Sequence, residues 1–290
     1  MSLAVPFVGV GLLLAATTGC GGSATGANGK RTVVAAFYPL AWAAEQIGGR
    51  RIHVVDLTPP GAEPHDIELT PRDVGEIRDA ALVLYLGRGF QPAVEKAVQS
   101  RTGPSIDLLR GQTLRAGTES GEGAQVDPHV WLDPARFAGM VATIGRKLGH
   151  ARVAARLEAR LHALDAEMAR GLRTCRWRQI VTSHAAFGYL AARYHLRQVP
   201  LAGLSPEAEP SPRDLEALVR EVEQTGSTTV FFETLVSPRL AQTVAREAGA
   251  KTAVLDPLEG LTKDEADAGD DYFSVMRSNL RTLREALGCR

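Results

Sequence analysis

Three histidines and two carboxylates stand where a divalent metal ion could be held. His65 lies in Gly-Ala-Glu-Pro-His-Asp (61–66) and His129 in Asp-Pro-His-Val-Trp-Leu-Asp-Pro (127–134). His184 follows Ile180, Val181, Thr182 and Ser183 directly, and Asp256 and Glu259 share Leu-Asp-Pro-Leu-Glu-Gly (255–260). Imidazole nitrogens with a carboxylate oxygen are donors of the borderline softness that suits Zn²⁺, which takes four ligands in a tetrahedron. A shell built only from protein donors holds an ion and leaves no position for activated water. Taken singly, each residue says little, because a lone histidine at a strand end is more often a hydrogen-bonded structural residue. His53, His150, His162 and His195 lack such settings and read as surface or helix-face residues.

What must position these groups is an alternation of strand and helix patterns. Strand-like runs cover 32–37, 52–57, 81–86 and 105–109, with helical patterns at 40–47, 71–80 and 90–98. Thr70 and Pro71 form a cap and first-turn pair for the second of these helices. A second set follows, with strands at 179–183, 198–202, 228–233 and 252–255 and helices at 185–194, 211–223, 238–248 and 271–287. Such alternation implies βαβ crossovers and parallel sheets. In open parallel sheets, ligands bind beyond the carboxyl ends of the strands, which is where the candidate residues fall. The expected fold class is α/β: two βα lobes with parallel four-stranded sheets joined by one long rigid helix.

That helix is read over 134–172. Asp133 is a good N-cap, and Phe137, Val141, Ile144, Leu148, Leu157, Leu161, Leu164, Met168 and Leu172 recur at helical spacing. Unbroken, about 39 residues would span roughly 58 Å. Gly149 is the place where it would kink or break. The expected division is an N-terminal metal-binding lobe over 32–133, the linking helix over 134–172 and a C-terminal metal-binding lobe over 173–290. The polar, Gly- and Glu-rich stretch 111–126 reads as a surface loop ahead of His129.

The 290 residues are 44% hydrophobic, enough for a sizeable core. Lys and Arg number 33, as do Asp and Glu, so the net charge gives no footprint for nucleic acid or an anionic surface. Residues 3–16 form an apolar run too short to span a bilayer, followed by Thr17-Thr18-Gly19-Cys20 and a small-residue stretch. This resembles a bacterial lipoprotein signal peptide over 1–19, with Cys20 lipidated and 20–31 a flexible tether. The match departs in having no basic residue before the apolar run and Thr17 where leucine is usual; an ordinary secretory signal is the alternative. In an oxidising compartment the two remaining cysteines, Cys175 and Cys289, suggest a disulfide, the alternative being two unpaired thiols.

Residues 61–73, 127–134, 183–190 and 255–261 together resemble the substrate-binding lipoproteins of zinc and manganese ABC transporters, of the zinc-uptake type (cluster A-I solute-binding proteins). The likeness covers nearly the whole mature chain, in order. It implies His65, His129 and His184 as ligands. Histidine at the third position favours zinc over manganese, which oxygen donors serve better. Members differ in the fourth ligand, which maps onto Asp256 or Glu259; in some, water or an acidic residue in the loop before the first histidine completes the shell. Glu233, at the end of a strand, is read as orienting a ligand imidazole. Many zinc members carry a His-rich loop where 111–126 has no histidine.

The resulting expectation is a monomeric, lipid-anchored extracytoplasmic or periplasmic receptor that delivers Zn²⁺ to an ABC importer permease, without enzymatic activity or nucleic-acid binding. A manganese receptor or adhesin on the same scaffold is the first alternative. A secreted zinc hydrolase is the second; it would need an open coordination position and a general base, and the chain has no His-Glu-x-x-His.

Overall fold

The computed structural model describes Met1 and residues 29–117, 126–206 and 212–290. The expected signal peptide, the lipidation site Cys20 and most of the tether lie outside the described residues, as does the middle of the 111–126 loop. The base of that loop is described: Ala116 and Val126 pair as an antiparallel bridge.

The first half runs β1 (Arg31–Ala35), α1 (Tyr38–Gly48), β2 (Ile52–Asp56), α2 (Pro71–Asp79), β3 (Leu82–Tyr85), α3 (Pro92–Gln99) and β4 (Ser105–Asp107). Two helices follow, α4 (Pro134–Leu148) and α5 (Ala151–Gly171). The second half continues with β5 (Gln179–Thr182), α6 (Gly188–Arg193), β6 (Arg197–Pro200), α7 (Pro212–Thr225), β7 (Thr229–Phe232), α8 (Arg239–Glu247), β8 (Lys251–Val254), α9 (Lys263–Ala268) and α10 (Tyr272–Ala286). Each half holds a four-stranded parallel sheet, ordered β2-β1-β3-β4 and β6-β5-β7-β8. In both, the chain moves to one side of its first strand and then crosses to the other. That reversal opens a crevice at the strand carboxyl ends.

The run 134–172 is two helices, not one. Gly149 ends α4 in the left-handed region at φ 76°, its N–H closing on the last turn, and α5 starts again at Ala151. The two pack along each other as an antiparallel pair, so closely at the turn that a Cβ on Gly145 would lie 2.2 Å from that of Ala154. The helical period carries across the break because both helices turn their apolar faces to the same core. The link between halves is therefore α5 alone, about 32 Å long for its 21 residues.

One hydrophobic core runs from the first sheet through α4 and α5 to α10, and a smaller cluster lies on the second sheet around Val181, Val199, Val230 and Val244. Trp42 of α1 stacks on Tyr272 of α10 with ring centres 5.2 Å apart, and Tyr272 packs on Phe137 of α4 at 4.7 Å. The Tyr272 hydroxyl donates to the Trp131 carbonyl at 2.6 Å. The last helix thus closes against the first half, and a shared close-packed interior resists large hinge motion. Cys175 and Cys289 form a disulfide that pins the segment before β5 to the chain's end.

Candidate metal centre

Four loops, each beyond the carboxyl end of a strand, bring His65, His129, His184 and Glu259 together, with one donor atom from each within 4.8 Å of the others. Glu259 Oε1 lies 3.2 Å from His65 Nε2, 3.0 Å from His129 Nε2 and 3.4 Å from His184 Nε2. The Nε2 atoms of His129 and His184 are 3.4 Å apart. Four donors around Zn²⁺ at its usual bond lengths have tetrahedral edges of about 3.3 Å. The three distances to Glu259 Oε1 and the His129–His184 distance match such edges, and the set as a whole lies within 4.8 Å, so a small inward shift of the side chains would close it on one ion.

Each of the three imidazoles is backed by a neighbour. His129 is fully buried, and Asp127 Oδ1 lies 2.9 Å from both its backbone nitrogen and its Nδ1. The turn Val130–Leu132 follows, and Asp133 then caps α4 through the Ala135 and Arg136 N–H groups. His184 Nδ1 lies 2.7 Å from Glu233 Oε1, which also accepts a short hydrogen bond from Ser183 Oγ. The His184 carbonyl accepts from Thr182 Oγ1 and Gln198 Nε2. His65 rests edge-on against Phe90, with ring centres 4.8 Å apart. Its backbone N–H donates to Glu63 Oε1 at 3.0 Å.

The structure separates the two candidate carboxylates. Asp256 is absent from the converging set. Its Oδ1 accepts the Leu258 N–H at 2.6 Å and its Oδ2 the Thr234 hydroxyl at 3.3 Å. Leu258 is at φ 54°, a conformation a leucine rarely adopts, and this hydrogen bond holds it there. Asn279 of α10 bonds both the N–H and the carbonyl of Asp256, and Trp131 Nε1 donates to the Pro257 carbonyl across the two halves. Asp256 shapes the loop; Glu259 is the residue the loop presents.

The buried charges respond strongly to one another. Burial alone would raise the Glu259 carboxyl, but His65 and His184 beside it, with hydrogen bonds from His129 and His184, hold it well below the usual range. Burial opposes protonation of His184, yet Glu233 and Glu259 lift it well above its ordinary value. Burial likewise opposes protonation of His129, and Asp127 and Glu259 outweigh it. These directions favour protonated His129 and His184 beside an ionised Glu259. Glu259 Oε2 is buried and finds no hydrogen-bond partner among the described residues, which leaves room for a bond to an ion.

Two neighbours escape notice in the sequence. Asp127 holds His129, and Glu63, pushed up to about 8 by burial and then by Glu259, sits beside the cluster. Their common signal is an acid, a proline and a histidine in succession: Glu63-Pro64-His65 and Asp127-Pro128-His129. In each, the acid accepts the N–H of the histidine two residues on.

The model of the family described as zinc-uptake complex component A, periplasmic, matches residues 33–286. The chain belongs to this family. Among members of the zinc-uptake component A family, it is 36% identical to the zinc-binding protein AdcA of Streptococcus pyogenes serotype M18, over 89% of this chain and 56% of that protein. The chain thus spans about half the length of that relative. It is 35% identical to the high-affinity zinc uptake system protein ZnuA of Bacillus subtilis, over 92% of this chain and 90% of that one. In three dimensions it is similar to the Zn(II)-bound ZnuA-like domain of Streptococcus pneumoniae AdcA, with a TM-score of 0.75, 35% identity, and coverage of 89% of this chain and 99% of that one.

Proposed function

We propose that this chain is an extracytoplasmic receptor that binds Zn²⁺ at His65, His129, His184 and Glu259 and hands it to the permease of an ABC importer. The convergence of three Nε2 atoms on one buried carboxylate oxygen carries this reading. Three nitrogens and one oxygen suit zinc better than manganese, whose harder ion calls for more oxygen. The function is holding, not turnover, since all four tetrahedral positions are filled by protein donors. Residues 32–133 and 173–290 act as the two metal-binding lobes, and Asp127 and Glu233 orient the ligand imidazoles. Cys20 carries the lipid that anchors the monomer to the outer face of the cell membrane. The shared core and the contact of α10 with the first half favour release through loop movement or slight lobe tilting over wide hinge opening.

Isothermal titration of the His184→Ala variant with Zn²⁺ tests the assignment. Affinity should fall by about a hundredfold or more, as expected when a ligand and its buried partner are separated. Unchanged affinity would remove His184 from the site. Competition between Zn²⁺ and Mn²⁺ on the parent protein tests the choice of metal.

A further inference from the structure

The end of the first sheet opposite the metal centre is strongly basic. Arg31 opens β1 in register with Ile52, and Arg50 and Arg51 form the turn just before it. The α4–α5 turn adjoins: Arg51, Gly149, His150 and Arg152 line one shallow depression. The last turn of α4 adds Arg146 and Lys147. Arg31, Arg50, Arg51, Arg146, Lys147 and Arg152 are all exposed, and among the described residues none has a carboxylate within ion-pair distance. Asp79, at the end of α2, is already taken by Arg78 at 2.7 Å. The balanced net charge hides this asymmetry, because the cations come from three separate segments.

The chain enters the fold at the same end, since Lys30 leads directly into β1. Cys20 is ten residues earlier, a reach of at most about 35 Å for a fully extended chain. A lipid on Cys20 would keep the basic end within about 35 Å of the bilayer surface.

We propose that this basic end is a docking surface for the headgroups of anionic phospholipids. It seats the protein on the membrane between deliveries, with the metal centre facing the medium, and the protein leaves this seat and turns when its site meets the permease. The proposal takes its location from the lipid anchor assigned to Cys20, and its chemistry from unpaired guanidinium and ammonium groups, which anionic membranes attract.

The test is amide hydrogen exchange on the full chain bound to vesicles of phosphatidylcholine alone, or of phosphatidylcholine with about one part in three phosphatidylglycerol. Exchange over 49–53 and 146–153 should slow by about fivefold or more on the anionic vesicles, while 183–187 at the metal centre stays unchanged. Raising salt from about 0.05 M to about 0.5 M should abolish the difference. So should Arg51→Glu, Lys147→Glu and Arg152→Glu combined. Equal exchange on the two vesicle types overturns the proposal, as does slowing that survives high salt or the charge reversal. If the triple variant fails to fold, seen as lost zinc binding, the salt series on the unaltered chain decides. Sedimentation with neutral vesicles reads the anchor separately: a chain that stays in solution there refutes lipidation, while its exchange with anionic vesicles still reads the basic end.

Discussion

Glu233 Oε1 stands 2.7 Å from His184 Nδ1, and this contact decides which ring nitrogen His184 turns toward the cleft. Nδ1–H donates backward to Glu233, so Nε2 is the nitrogen that gives up its proton and offers a lone pair when an ion enters. The same oxygen accepts Ser183 Oγ, so the carboxylate is itself fixed. Glu233→Ala should weaken zinc binding by about 10–100-fold, the usual cost of losing a partner behind a metal ligand. Glu233→Gln keeps an acceptor for Nδ1–H but not the charge, and should cost less. Chelator-competition titrations of the two variants measure the difference; equal losses would show that only the charge matters.

The two loop carboxylates should respond oppositely to loss of charge. Glu259→Gln removes the anionic donor and should abolish tight binding. Asp256→Asn keeps an oxygen for the Leu258 N–H and should leave affinity within about threefold, as expected of a change that touches no ligand. Its effect should appear in stability. Burial, with a smaller push from Glu265, raises Asp256 from 3.8 to about 7. Between those values the folded state binds the extra proton, so its stability falls as pH rises through the window. Asp256→Asn removes that loss. The variant's melting temperature, relative to the parent, should therefore be higher at about pH 8 than at about pH 5. Thermal melts of the metal-free proteins at the two values check the sign.

Much of the site was legible because its residues follow strand ends directly: His184 comes two residues after the last residue of β5, and Glu259 lies in the loop after β8. Asp256 and Glu259 could not be told apart because both are acidic and three residues apart. What separates them is the Leu258 backbone at positive φ, which no residue preference announces. The break at Gly149 was visible as a weak point, but periodicity carries no information about chain direction, so the reversal was not. The short helix α9 buries none of its residues and so leaves no apolar pattern to read. Asp127 was in plain view inside its motif, yet its contact with His129 depends on a tight turn that brings the acid back onto the ring.

The disulfide should matter to stability and not to the ion. Cys175 and Cys289 are 114 residues apart in sequence, and their bond ties the end of α10 to the approach to β5. Two backbone hydrogen bonds from Arg176 and Trp177 to the Leu287 carbonyl already fix the same junction. Replacing both cysteines by serine should cost about 2–4 kcal/mol, mainly through a freer unfolded chain. Denaturant melts should show that loss with zinc affinity unchanged. A large drop in affinity would mean the bond positions the metal loops.

Zinc uptake should release protons. In the metal-free protein His129 is held above its ordinary value and His184 well above it, while Glu259 stays ionised. Near neutral pH these imidazoles carry protons that a metal ion must displace, because only neutral imidazole ligates. Apparent affinity should therefore rise with pH through the neutral range. Stability of the metal-free form should move the other way. A histidine whose folded value exceeds its unfolded one stabilises the fold below the unfolded value and ceases to do so as pH rises through the folded value. The depressed Glu259 contributes above its unfolded value and is lost only in acid. Raising the pH above neutral should thus lower the melting temperature of the metal-free protein while widening its gap to the zinc form. Calorimetry at about pH 7 in two buffers of different ionisation enthalpy counts the protons directly, with at least about one per ion expected. A binding enthalpy independent of buffer would mean that His129 and His184 are already neutral, and that something other than protons on them balances Glu259 before the ion arrives.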